Sequence, residues 1–292
     1  MRRFPTYDEL HRTVRAVARA HPARVELSEV GKSRGGRDIF LASVGKGRKN
    51  VLVLGGPHAN EPTGFLTVIH LAHLAAKHPE FAEGLDVTWH FVPCMDPDAM
   101  RLGEGWYGAP RTIRNYYGRF YRPAFVHQPE WSFPVDGGFD RPLPETRALM
   151  SIIDDLRPNL VYTLHSADFT GHQFMVTDAV PELVSGVEHA MARRGLPVHT
   201  APSDGGTPTV GRTATVAEYY QLLSMRFTLS LRTGGMLLQL LEGAGANGEN
   251  AVRNWFDFRC AQMRHHFPGR ALDLRELTAL QMEVGLAAAR CL

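Results

Sequence analysis

In VLVLGGPHANEPTG (residues 51–64) a run of aliphatic residues breaks at two glycines and a proline, and His58 and Glu61 follow three residues apart. A second apolar run, NLVYTLHS (residues 159–166), ends in the same way on His165. An H-x-x-E spacing alone arises often by accident. Two such segments ending separate buried strands are a different matter, because in open α/β sheets the sites lie beyond the carboxyl ends of the strands. An imidazole, a carboxylate and a second imidazole then meet at one rim, and two histidines and a glutamate with an open fourth position form a catalytic zinc set. Water bound there has its pKa lowered towards about 7 and is a usable nucleophile near neutral pH. The chain has 14 histidines. His70 and His73 fall in the middle of a helical pattern and His265 and His266 at the polar end of another, so they read as helix-surface residues.

The elements that must carry these residues can be read from hydrophobic period. A charged amphipathic helix opens the chain (TYDELHRTVRAVARAHP), and two alternating stretches on either side of RGGR (residues 34–37) predict a β-hairpin. NVLVLGG is a strand of the fully buried kind. PTGFLTVIHLAHLAAKHP predicts a helix with Pro62 in its first turn, and DVTWHFVPCMD a further strand. Residues 97–142 offer no periodic element and are rich in Gly, Pro, Arg and aromatic residues, which predicts an ordered functional loop. PETRALMSIIDDLRP is helical in pattern, NLVYTLHS and HQFMVT are strands, and a late strand, GMLLQLLEG, precedes two C-terminal helices. Strands alternating with helices predict one α/β domain over residues 1–292, with a mixed, largely parallel sheet flanked by helices.

Composition narrows the classes. With 292 residues, 44% of them hydrophobic and 21% charged, the chain can bury a large core. A net charge of +2 gives no electrostatic case for nucleic acid or a membrane surface. Cys94, Cys260 and Cys291 are odd in number and far apart, so they predict neither a disulfide framework nor a CxxC site. The N-terminus lacks an apolar signal core, and no run approaches the roughly 20 apolar residues of a membrane span. A cytoplasmic protein is expected, of an oligomeric state the sequence leaves open.

The order of these features resembles the zinc carboxypeptidase family of carboxypeptidases A and B. VGKSRGGRDIF is similar to that family's iGkSxeGRpi hairpin, GGPHANEPTG to its giHaxEwi ligand loop and VPCMDPDAM to its xPxxNPDG pattern. PLPETRALMSII resembles lSEpEtxAl, and LVYTLHS the strand bearing the second histidine. Together they span roughly residues 5–260. The resemblance implies the family's α/β/α hydrolase architecture, one Zn2+ per chain held by His58, Glu61 and His165, and a small peptide or amide substrate. It also implies a chain that begins directly at the catalytic domain.

The family takes its general base from a late buried strand. In TGGMLLQLLEGAG two positions compete, Glu242 at the rim and Gln239, which a strict match to fElRD would favour. Three residues apart on a strand they face opposite sides, and only a glutamate can take a proton, so an active enzyme requires Glu242. Arg111 and Arg114 repeat the family's RxxR spacing, which implies that Arg114 steadies the oxyanion. FYRPAF puts Arg122 on the arginine that binds the substrate carboxylate, with Tyr121 and Pro123 in place of the family's asparagines. Tyr220 precedes Glu242 at about the distance of the family's mobile tyrosine. Asp168 and His172 follow the second ligand and read as loop residues, and side-chain preference around Phe227 cannot be chosen. The readings are a zinc metallocarboxypeptidase, an amidase or N-acyl amino acid deacylase with a rebuilt recognition site, and a zinc-retaining binding protein if Gln239 holds the base position.

Overall fold

The structure, a computed structural model, describes residues 3–110, 115, 118–119, 121–123, 127–134, 141–165, 174–176, 180–194, 213–215 and 274–292. Its contacts form two compact units, Met1–Ser166 with Asp273–Leu292, and Ala167–Leu272.

Among the described residues the first unit is built on a five-stranded mixed sheet. β1 (Val25–Lys32) and β2 (Asp38–Val44) form the hairpin expected around RGGR, turning at Gly36 with φ +77°. β2 pairs antiparallel with β4 (Val87–Val92), β4 pairs parallel with β3 (Lys49–Leu54), and β3 pairs parallel with β5 (Leu160–Thr163). The strand order is therefore β1-β2-β4-β3-β5. The parallel half is the half that carries the site.

Period-2 alternation in β3 explains the layering. Val51 and Val53 pack with Trp89 and Phe91 against α1 (Tyr7–Ala20) and α2 (Thr63–Lys77) on one face. Leu52 and Leu54 join Ile39, Leu41 and Val92 on the other, against Ala148, Leu149 and Ile152 of α5 (Pro144–Leu156). Val51, Leu52 and Val53 are each 0% exposed, and full burial of such side chains stabilises by about 1.5–3 kcal/mol each. α1 starts with a capping box, in which Thr6 accepts from the Glu9 amide and Glu9 reaches back to the Thr6 amide. Ten of the fifteen residues of α2 are buried; Pro62 stands at its N-cap position, one residue before the first-turn position expected from sequence. α3 (Glu80–Glu83) is a single short turn, and α7 (Leu274–Arg290) lies against α2.

The stretch beginning at residue 97 departs from the expectation. It opens with α4 (Pro97–Gly103), capped by Asp96 with Pro97 at its first position, and continues as a 3-10 turn at Glu104–Trp106. At seven residues α4 is too short to display a helical period, so its cap is its only signature.

In the second unit β6 (Phe174–Val176), within the predicted HQFMVT strand, pairs parallel with β7 (Thr213–Thr215), and α6 spans Pro181–Ala192. Among the described residues no helix is long and apolar enough to cross a membrane.

Candidate metal centre

The ligand loop leaves β3 under tight constraint. The Gly55 amide donates to the Val92 carbonyl at 2.8 Å and the Met95 amide to the Gly55 carbonyl at 2.9 Å, so β3 and β4 stay in step past their ends. Gly56 has φ +59°, and a Cβ there would overlap the Phe65 ring. Only glycine meets both conditions. The loop then turns on itself, with the Glu61 amide donating to the His58 carbonyl at 3.1 Å and the Tyr107 hydroxyl to the Ala59 carbonyl at 2.5 Å.

β5 brings the second histidine. The Leu164 amide donates to the Leu54 carbonyl at 3.0 Å, extending the β3–β5 ladder by one residue. A Cβ on Gly64 would meet Leu164 at 3.0 Å, so the start of α2 rests directly on the residue before His165. Gln281 of α7 donates its amide to the His165 carbonyl at 2.9 Å and accepts from the Thr67 hydroxyl of α2 at 2.5 Å. The backbone of His165 is thus tied to two helices.

These constraints bring His58, Glu61 and His165 together, with donor atoms all within 4.8 Å of one another. Glu61 sets one carboxylate oxygen 3.0 Å from His58 Nδ1 and the other 2.8 Å from His165 Nδ1. Two donors bound to one zinc at about 2.1 Å each lie roughly 3–3.5 Å apart. The donor types suit zinc, and Glu61 meets each imidazole at its Nδ1.

Burial and charge act together here. His58 and Glu61 are buried, and His165 is partly open. Burial opposes the charge of Glu61, but hydrogen bonds and charge from His165 and His58 outweigh it and hold the carboxyl well below its ordinary range. Burial likewise opposes the imidazolium of His165, and Glu130 and Glu61 overcome it, raising its pKa to about 10. Glu130 stays ionised despite burial, its pKa lowered by His165 and then His58.

Of the other residues singled out in the sequence, Arg122 joins the cluster. Its Nη1 donates to Glu61 Oε1 at 3.1 Å, and its Nη2 to His58 Nε2 at 3.3 Å, with Gln128 Oε1 at 3.5 Å. Arg111, Arg114, Tyr220 and Glu242 lie outside the described residues, as do Gln239, Asp168, His172 and Phe227. Among the described residues, sequence reasoning missed two that touch the candidate ligands. One is Gln281, 116 residues from its His165 partner. The other is Glu130, which faces His165 and His58 from a 3-10 turn, Glu130–Ser132, inside the long loop. Its only local signal is Pro129 at the start of that turn.

A family model described as zinc carboxypeptidase matches residues 10–170, more than half of the chain. The chain belongs to the zinc carboxypeptidase family. Zinc carboxypeptidase A 1 of Anopheles gambiae is 30% identical over 141 residues, which are 44% of this chain and 31% of that relative. The chain thus spans about a third of the length of the curated relative it matches. Among solved structures, the carboxypeptidase A of Helicoverpa armigera is similar at 16% identity and a TM-score of 0.46, over 64% of this chain and 54% of that one. A metallo-carboxypeptidase from Burkholderia cenocepacia is similar at 18% identity and a TM-score of 0.42, over 63% of this chain and 47% of that one. For a zinc carboxypeptidase family member, His58, Glu61 and His165 supply the expected donor types from the ends of two adjacent parallel strands.

Proposed function

We propose that this zinc carboxypeptidase family member is a zinc-dependent amide hydrolase that removes the C-terminal residue of a small peptide or peptide-like metabolite, using one Zn2+ per chain. The observation that carries the reading is the position of Glu61, with one carboxylate oxygen against the Nδ1 of each histidine. When bound, zinc supplies a Lewis acid and lowers the pKa of a water for attack on the carbonyl.

The chain's own residues then divide the work. Arg122, permanently charged and beside Glu61, takes the substrate's terminal carboxylate in a two-donor contact. Arg114 donates to the carbonyl oxygen as negative charge builds there, Arg111 binds substrate, and Tyr220 adds a hydroxyl to the bound peptide. Glu242 takes a proton from water and returns it to the leaving nitrogen. On this reading residues 1–292 act as one catalytic domain.

One pair of observations favours a second reading. The Arg122 guanidinium is engaged by Glu61, His58 and Gln128, and Tyr121 and Pro123 stand where the family pattern has asparagines. A site so altered suits an amidase or N-acyl amino acid deacylase. Mass spectrometry of zinc-loaded protein incubated with free and amidated peptides and with N-acyl amino acids separates the two. Loss of one residue from free peptides alone supports the carboxypeptidase, and cleavage of acyl or amidated substrates with free peptides untouched replaces it with the amidase. Glu242→Gln tests the base, whose proton transfer contributes about 10²–10⁴ in rate; an unchanged rate would remove Glu242 from the mechanism.

A further inference from the structure

Each ligand imidazole has two ring nitrogens, and the two glutamates divide them. Glu61 faces the Nδ1 of both rings, at 3.0 Å on His58 and 2.8 Å on His165. Glu130 faces the Nε2 of both, with its two oxygens 3.3 Å from His165 and one oxygen 3.8 Å from His58. The ring centroids are 4.9 Å apart, so the two imidazoles stand side by side between two carboxylates.

We infer that Glu130 is the positioning residue that holds both ligand histidines with Nδ1 towards the metal. This rests on the reading of His58, Glu61 and His165 as the zinc ligands. A ring nitrogen that binds a metal carries no proton, so the remaining N–H sits on Nε2 and needs an acceptor that fixes the tautomer and the ring plane. Glu130 is a carboxylate at that place for both rings. Because it meets their far edges, it is neither a ligand nor a base for groups on the Nδ1 side.

Its turn is built to stay there. The Thr146 hydroxyl of α5 donates to the Pro129 carbonyl at 2.8 Å and also bonds Ser132. Ser132 Oγ accepts the Leu143 amide at 3.2 Å, and Arg34 donates to the His127 carbonyl at 3.1 Å. Pro129 and Ser132, which bracket Glu130 and Trp131, are therefore pinned to the start of α5.

Arg122 competes with this role. A guanidinium can only donate, so its 3.3 Å contact with His58 Nε2 requires that nitrogen to be an acceptor. With His58 Nδ1 given to a metal, Nε2 would carry the proton and would need Glu130 as its acceptor in place of the Arg122 contact.

The test is zinc affinity of the full chain, by competition with a chromogenic chelator, for wild type, Glu130→Ala, Glu130→Gln and His165→Ala. Thermal midpoints of the metal-free proteins and visible spectra of their cobalt forms are recorded alongside. Glu130→Ala is expected to weaken zinc roughly 10- to 100-fold. Glu130→Gln, whose carbonyl still accepts the Nε2–H, is expected to fall between it and wild type. Cobalt spectra of both should keep the wild-type band intensity, since no ligand is lost. In the zinc-loaded protein the imidazole Nε2–H proton resonances should shift in Glu130→Gln. Should the alanine variant fail to fold, the near-isosteric glutamine variant decides by affinity and resonance. Wild-type binding with unaltered affinity and resonances in the Glu130 variants overturns the inference while leaving the zinc centre intact. A cobalt spectrum altered as in His165→Ala also overturns it, by making Glu130 a ligand. Failure of wild type to bind zinc removes the centre itself.

Discussion

The side-chain amide of Gln281 donates to the carbonyl of His165 at 2.9 Å and accepts the Thr67 hydroxyl at 2.5 Å. Gln281 is buried, and Tyr162 of β5 fixes its backbone by donating to its carbonyl at 3.0 Å. Gln281→Leu keeps most of the volume but strands two buried polar partners. We expect a loss of about 1–3 kcal/mol in urea unfolding. Zinc affinity should fall as well, because His165 loses a backbone anchor; unaltered affinity would make Gln281 a purely structural bridge.

Metal should stabilise the native state alone. In scanning calorimetry, zinc at about 100 times its Kd is expected to add about 2.7 kcal/mol, and chelation to remove it. His58→Ala and His165→Ala should each abolish that response. A residual shift of full size in both would move the ion to some other site.

Asp96 gives a pH dependence whose sign can be worked out. Its Oδ1 accepts the Ala99 amide at 3.0 Å, while among the described residues Oδ2 and the buried Oε2 of Glu145 have no hydrogen-bond partner. Burial raises the Asp96 pKa, the Ala99 amide opposes it and Glu145 adds to it, bringing the group to about 7. An unfolded aspartate titrates near about 4. The folded protein therefore holds this proton more tightly. Its contribution is complete below about pH 4 and is lost as pH rises through about 7. Asp96→Asn cannot ionise, keeps a good N-cap residue for α4, and restores the residue of the family's xPxxNPDG pattern. Its unfolding free energy in urea should exceed that of wild type at pH 8 by more than at pH 5, by an amount on the order of a few kcal/mol. An equal difference at both pH values would mean that Asp96 titrates normally.

Gly56→Ala should be severe. The added Cβ meets both the left-handed backbone and the Phe65 ring, which is 0% exposed and cannot yield outward. Strain of this kind costs about 1–3 kcal/mol and overpacking a similar amount again. Thermal melts of Gly56→Ala alone and with Phe65→Leu provide the check. Partial recovery in the double variant assigns the overlap; none assigns the whole effect to the backbone.

Much of this was legible in the sequence because it is local. The hairpin around RGGR, the buried runs of β3 and β5, and the long period of α2 all follow from two- and 3.6-residue patterns. The three proposed ligands could be named because each sits at a strand end. α4 escaped because seven residues carry no period, though Asp96-Pro97 is a legible cap. Glu130 and Gln281 escaped for a different reason. Their meaning lies in partners 35 and 116 residues away, fixed by how the long loop packs on α5 and how α7 packs on α2. Nor could spacing reveal that both oxygens of Glu61 are used.

The adjacency of β3 and β5 has a topological consequence. β5 is a four-residue strand at the end of the strand order among the described residues, and it brings His165 to Glu61 from 104 positions along the chain. An ion held by Glu61 and His165 would be a cross-link closing a loop between positions 104 residues apart. A covalent bridge over about 100 residues removes about 4.7 kcal/mol of chain entropy from the unfolded state. On the zinc reading the centre acts as a rivet between β3 and β5, so that the two strand ends, the loop carrying His58 and Glu61, and the start of α2 come apart together or stay closed together.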